Sequence, residues 1–147
     1  MNIDDLRKLE HKVLLIGSHP GIIQSMLDYD FLVGHTTPSV IAIVANGRKF
    51  ERFFFGKKEL LLPVYSTLSA IPKETKSRIN ALVNVSSGRR VLTSMTEALD
   101  ILPNLKYGTI FAEGVPEKHA IDLFEYAKNK KVSLVGPSSV GVIIPGI

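Results

Sequence analysis

The sequence has no cysteine and no tryptophan. The missing thiols exclude disulfide bridges, thiolate metal sites and cysteine nucleophiles, and they fit a cytoplasmic chain. No apolar run approaches the ~20 residues that a helix needs to cross a bilayer, so no membrane association is expected. Met1 to Glu10 is polar and charged and does not read as a secretory leader. The histidines (His11, His19, His35 and His119) stand at no metal-ligand spacing, and no metal is expected.

What is present suits one globular domain, 1–147, with a sizeable core: 147 residues, 45% hydrophobic and 22% charged. The net charge of +4 favours an anionic partner. The basic residues come as scattered pairs, Arg48-Lys49, Lys57-Lys58, Arg89-Arg90 and Lys130-Lys131. No nucleic-acid motif accompanies them, so no nucleic acid is expected, whereas a phosphorylated small molecule needs only a few such charges.

The chain is organised around Lys12 to Met26. Val13-Leu14-Leu15-Ile16 is an unbroken apolar run, as in a strand buried on both faces. Gly17-Ser18-His19-Pro20-Gly21 turns it into a helix that runs from about Pro20 to Asp28. Pro20 suits a first helical turn, and helix N-termini favour anions. The glycine spacing is G-x-x-x-G rather than the dinucleotide fingerprint G-x-G-x-x-G. A phosphate-binding turn and a ligand-free connection both fit it.

The second strand is Val40 to Val44, with Ala45-Asn46-Gly47-Arg48 after it. Sheets that bind NAD commonly place a carboxylate here for the ribose. Asn46, Arg48 and Lys49 stand there instead, which disfavours NAD. Phe53-Phe54-Phe55 reads first as core packing, with stacking on a base as the alternative. Leu60 to Tyr65 leads to a short helix at Ser66 to Ile71, and Pro72 to Lys76 reads as a polar turn. Ala81 to Val85 is the next strand, ending in Ser86-Ser87-Gly88. The helix from Arg89 buries Val91, Met95, Ala98, Leu99 and Leu102 at helical spacing. Tyr107 to Ala112 is a strand closed by Glu113-Gly114. The helix after Pro116 presents Ala120, Leu123, Phe124 and Ala127 inward. Val132 to Val135 is the last strand, before Gly136-Pro137-Ser138-Ser139-Val140-Gly141.

This alternation predicts an α/β fold, a Rossmann-like open, mainly parallel sheet with helices on both faces. Parallel strands put the ends at Gly17, Asn46, Ser86, Glu113 and Gly136 on one edge, where such sheets bind ligands. The apolar close, Val142 to Ile147, reads as the start of a connection to a further domain.

Four segments in order carry a family resemblance. They are Gln24 to Asp30 with Pro38-Ser39-Val40, Phe53 to Glu59 with Pro63-Val64, Ala112 to Glu117, and Gly136 to Gly141 with Pro145-Gly146. Together they resemble the CoA-binding domain of ATP-citrate lyase, and more distantly the N-terminal domain of the succinyl-CoA synthetase α subunit. The resemblance implies part of a larger oligomeric enzyme that uses ATP and Mg2+ to phosphorylate a histidine. That enzyme converts citrate and CoA, through citryl-CoA, to acetyl-CoA and oxaloacetate.

On that resemblance this segment holds CoA, while ATP-grasp, phosphohistidine and citrate-synthase-like parts lie elsewhere. Gly17, Ser18, His19, Pro20 and Gly21 would meet the phosphates, and Asn46, Arg48 and Lys49 the adenosine end. Phe53 would lie near the adenine. Ser86, Ser87 and Arg89 would contact the nucleotide, with Gly88 standing where the family has a larger residue. Glu113 would steady the phosphohistidine as the catalytic carboxylate, unless it caps a helix. Gly136, Pro137, Ser138, Ser139 and Gly141 would lie beside the citrate and phosphoryl site. A stand-alone CoA- or nucleotide-binding regulatory module is the alternative.

Overall fold

The computed structural model describes residues 3–143. After a short helix α1 (Ile3–Arg7) come β1 (Val13–Ile16), α2 (Pro20–Leu32), β2 (Val40–Val44), β3 (Phe50–Phe55) and β4 (Lys58–Tyr65). The second half adds α3 (Lys73–Arg78), β5 (Ala81–Asn84), α4 (Gly88–Ile101), β6 (Tyr107–Ile110), α5 (Glu117–Asn129) and β7 (Ser133–Val135). The strands form one seven-stranded sheet in the order β3-β4-β2-β1-β5-β6-β7. Every neighbouring pair is parallel except β3 and β4. The open, mainly parallel α/β sheet expected from the alternation is therefore present.

The alternation of side chains along β1 divides the core in two. Leu14 and Ile16 face one cluster with the buried stripe of α4 (Val91, Met95, Ala98 and Leu99) and with Leu123 and Ala127 of α5. Val13 and Leu15 face the other, with Ile23 and Leu27 of α2 and Phe53 of β3. Leu14 and Leu15 are fully buried, which contributes about 2 kcal/mol for each side chain. Helices thus cover both faces, and Met95 and Leu102 are core residues as the periodicity required.

The structure corrects the sequence reading at several points. Two strands join the five expected, because the aromatic run and Leu60 to Tyr65 pair as an antiparallel hairpin at the sheet edge, Phe53 opposite Leu60. Ser66 to Ile71 is not a helix. The N–H of Ala70 bonds to the Thr67 hydroxyl at 3.2 Å, a local side-chain bond that competes with helical pairing. Pro72 to Lys76 is not a bare turn: Pro72 stands at the N-cap of α3 and the helix runs on to Arg78. Helix α2 does not stop at Asp28 but reaches Leu32. Asp30, with which the sequence pattern ends the helix, is buried and accepts the Ser39 N–H at 2.7 Å. The helical spacing puts Phe124 inside, yet it is 38% exposed, because α5 lies over the outer strands where less of it is covered. The apolar close beyond residue 143, with Pro145-Gly146, lies outside the described residues.

Candidate functional site

The C-terminal ends of the parallel strands form one rim, and backbone hydrogen bonds lace it together. Gly17 N–H donates to the Val44 carbonyl at 2.8 Å, and Val85 N–H to that of Ile16 at 2.9 Å. Phe111 N–H donates to the Asn84 carbonyl at 3.0 Å, and Ser138 N–H to that of Ala112 at 3.0 Å. The predicted strand-end residues therefore do converge.

Two glycines are required for this closeness. Gly17 has φ +96°, and a Cβ there would approach Val85 Cγ2 to 3.0 Å and the Ser86 nitrogen to 3.1 Å. At Gly88 a Cβ would come within 2.6 Å of the Glu113 carbonyl oxygen. The small residue between Ser87 and Arg89 is thus the consequence of packing the start of α4 against the Glu113-Gly114 loop.

The turn into α2 is part-filled by its own side chains. His19 caps the helix, its Nδ1 accepting the Ile22 N–H at 3.3 Å. The Ser18 hydroxyl donates to both carboxylate oxygens of Glu51 on β3, at 3.2 and 3.4 Å. Glu51 was not singled out in the sequence because it lies 33 residues from the turn and on a strand that was not recognised. Ser18, Pro20 and Gly21 are exposed, as are Arg48 and Lys49 on the loop after β2. A cationic loop and a helix N-terminus on one edge can receive a phosphate.

At the next strand end, Asn84 is fully buried and its Oδ1 accepts the Ser86 N–H and hydroxyl at 3.0 and 2.6 Å. Ser86, half-buried, is thereby tied to Asn84. Ser87 flanks α4 without capping it by its side chain, and Arg89 projects outward. Glu113 is exposed, and Pro116 rather than Glu113 stands at the start of α5, so the helix-capping role does not apply. Ser139 N–H bonds to the Ile110 carbonyl at 3.1 Å and its hydroxyl accepts the Gly141 N–H at 3.2 Å, which folds Gly136 to Gly141 back over β6. One predicted contact is corrected: Phe53 is 3% exposed inside the α2-side core, so its ring cannot stack on a base. Strand alternation turns Phe54 outward instead, 51% exposed.

A cavity of about 780 Å³ opens on the α2 face of the sheet. Its floor is Ala81, Val83 and Thr109, with Ile22 and Met26 of α2 to one side and Val140 opposite. Of the predicted site residues it takes in only His19, Gly21 and Gly141. At its other end the Tyr107 hydroxyl meets His11 Nδ1 at 2.7 Å, and His35 Nδ1 stands 3.4 Å from Asp30. Burial lowers the His11 pKa and raises that of Tyr107 to about 12, helped by the nearby Asp30 charge. Isolated aromatic and histidine residues gave no sequence signal for this cluster. Among the described residues, no group of three or more histidine or acidic side chains could hold a metal, and no helix is long and apolar enough to cross a membrane.

No protein-family profile matches the sequence. The chain is 34% identical over 145 residues to a probable ATP-citrate synthase subunit 1 of Schizosaccharomyces pombe, spanning 97% of this chain but 23% of that protein. It is 36% identical over 137 residues to a probable ATP-citrate synthase of Caenorhabditis elegans, 92% of this chain and 12% of that protein. In structure it superposes on ATP citrate lyase from Methanothrix soehngenii in complex with citrate and coenzyme A. The TM-score is 0.84 at 29% identity, over 90% of this chain and 21% of that chain. A dinucleotide-forming acetyl-coenzyme A synthetase of Ca. Korarchaeum cryptofilum shares the fold, with TM-score 0.64 at 14% identity. The chain thus spans less than a quarter of the length of these ATP-citrate synthases and of the lyase.

Proposed function

We propose that this chain, related over nearly its whole length to one segment of ATP-citrate synthases, is the Rossmann-like CoA-binding domain of an ATP-dependent citrate-cleaving enzyme. The observation that carries the reading is the superposition on a lyase solved with citrate and coenzyme A. The strand-end rim supports it independently, since it offers exposed cations and a helix N-terminus to a phosphorylated ligand.

In this reading the turn from Gly17 to Gly21 meets the pyrophosphate of CoA, with His19 and the start of α2 providing the polar lining. Asn46, Arg48 and Lys49 receive the adenosine end, where two flexible cations suit a 3′-phosphate. The Ser87 hydroxyl and the Arg89 guanidinium hold the nucleotide from the other side of the rim. Glu113 faces outward toward the partner domain and steadies a cationic or phosphorylated imidazole there. Gly136 to Gly141 borders the citrate and phosphoryl site.

The domain's own contribution is to bind and orient the thiol carrier. ATP, Mg2+, the phosphorylated histidine and the citrate-cleaving machinery belong to other parts of an oligomeric, cytoplasmic enzyme. By itself the segment binds CoA without turnover.

Calorimetric titration with CoA, with NAD as control and Arg89→Ala alongside, tests the assignment. Micromolar-to-millimolar CoA binding that weakens on substitution supports it. Binding of NAD without binding of CoA overturns it.

A further inference from the structure

We infer that Glu51 reads the adenosine ribose of the bound ligand, its carboxylate accepting the free 2′-hydroxyl while Arg48 and Lys49 take the 3′-phosphate. The inference rests on the CoA reading above.

Open α/β sheets seat an adenosine ribose between the first glycine turn and the end of the neighbouring strand, and a carboxylate there accepts its hydroxyls. Here β2 ends at Val44, and neither the strand nor Ala45-Asn46 after it carries an acid. The hairpin supplies one from the far side. Strand β3 begins at the same rim at which β2 ends, and its second residue, Glu51, reaches the glycine turn.

Its partner there is a neutral hydroxyl. Ser18 Oγ lies 3.2 and 3.4 Å from the two carboxylate oxygens, long and exposed contacts that a ligand hydroxyl can replace. The neighbouring cations do not neutralise it. Among the described residues no lysine or arginine pairs with Glu51, and Arg52 turns to Glu59 instead, at 3.4 Å. An unpaired carboxylate beside an anion-binding turn accepts a sugar hydroxyl and repels a phosphate on that same oxygen.

The carboxylate is also held in place. Gln24 of α2 binds both main-chain groups of Phe54, donating to its carbonyl at 2.9 Å and accepting its N–H at 3.1 Å. This fixes β3 against α2, and with it the distance from Glu51 to the turn. The resulting specificity is for a ribose free at the 2′ position, phosphorylated or not at the 3′ position. A 2′-phosphorylated nucleotide of the NADP type is excluded.

The test is competition calorimetry on the full chain. Adenosine 3′,5′-bisphosphate, the nucleotide head of CoA, is compared with 2′-deoxyadenosine 3′,5′-bisphosphate. The wild type is expected to prefer the ribonucleotide by about tenfold, the size of one hydrogen bond to a charged acceptor. Glu51→Ala brings that ratio close to one, whereas Ser18→Ala, which frees the carboxylate, keeps or raises it. Thermal melts of both variants establish that they are folded. A wild type that binds CoA yet does not discriminate, or a ratio unchanged in Glu51→Ala, overturns the role of Glu51 alone. A wild type that binds neither CoA nor the bisphosphate overturns the CoA reading, and this inference with it.

Discussion

The side-chain amide of Gln24 pairs with the main chain of Phe54 as a neighbouring strand would, one donor and one acceptor on each side. Strand β3 has β4 on one edge only, so α2 closes part of the edge that the sheet leaves open. Gln24→Ala removes both bonds. We expect a loss of about 1–2 kcal/mol in urea denaturation, with faster hydrogen exchange at the Phe54 amide than elsewhere in the hairpin. Unchanged exchange at Phe54 counts against the pairing.

Gly88→Ala drives a methyl group toward the Glu113 carbonyl, a backbone atom that cannot swing aside. The expected cost is about 1–3 kcal/mol, as for overpacking in a close-packed site. It should come with shifted amide resonances at Glu113 and Gly114. A variant as stable as the parent, without those shifts, shows that the two loops do not touch.

His11 is a pH-sensitive position. Burial favours its neutral form and lowers its pKa below the ordinary 6.5. The folded chain therefore binds fewer protons than the unfolded chain as the pH falls through this range. Stability drops as the pH falls from about 6.5 toward the lowered value, and levels below it. Urea midpoints between pH 7 and pH 5 should fall more steeply in the wild type than in His11→Asn.

Tyr107 behaves in the opposite range. Its pKa is raised from 10.0 to about 12, so its contribution is complete below pH 10 and is lost as the pH rises through about 12. The tyrosinate absorbance of the wild type should therefore contain a late step near pH 12 that Tyr107→Phe removes. A late step that survives the substitution assigns it to another tyrosine.

The pair Arg48→Ala with Lys49→Ala tests the adenosine end of the proposed site. CoA should bind about tenfold more weakly, while 3′-dephospho-CoA changes much less, because a surface phosphate contact is lost only where the phosphate is present. Equal weakening of both ligands places the cations elsewhere on the molecule.

The parallel core was legible because its signals are local. The apolar run at Val13 to Ile16, the β-branched run at Val40 to Val44 and the stripe from Val91 to Leu99 each follow from periodicity. The hairpin was not legible, because an aromatic run beside Leu60 to Tyr65 fits a buried segment of several kinds, and antiparallel pairing depends on a turn at Gly56-Lys57. Asp30 misled for a physical reason: a charged residue at the end of a helical pattern usually marks its exit, yet here a long-range bond to Ser39 draws it inward. The gathering of the strand ends on one rim was legible, since parallel topology alone places them together. Glu51 and the His11–Tyr107 pair were missed. Their partners lie 33 and 96 residues away and no spacing links them.

The contact between Gly88 and the Glu113 carbonyl has a mechanical consequence. With no room for even a methyl group between them, the start of α4 and the loop after β6 cannot slide independently. Gly136 to Gly141 is tied to the same strand end by Ser138 and Ser139. Three segments far apart along the chain are therefore gathered by main-chain contacts at one strand end.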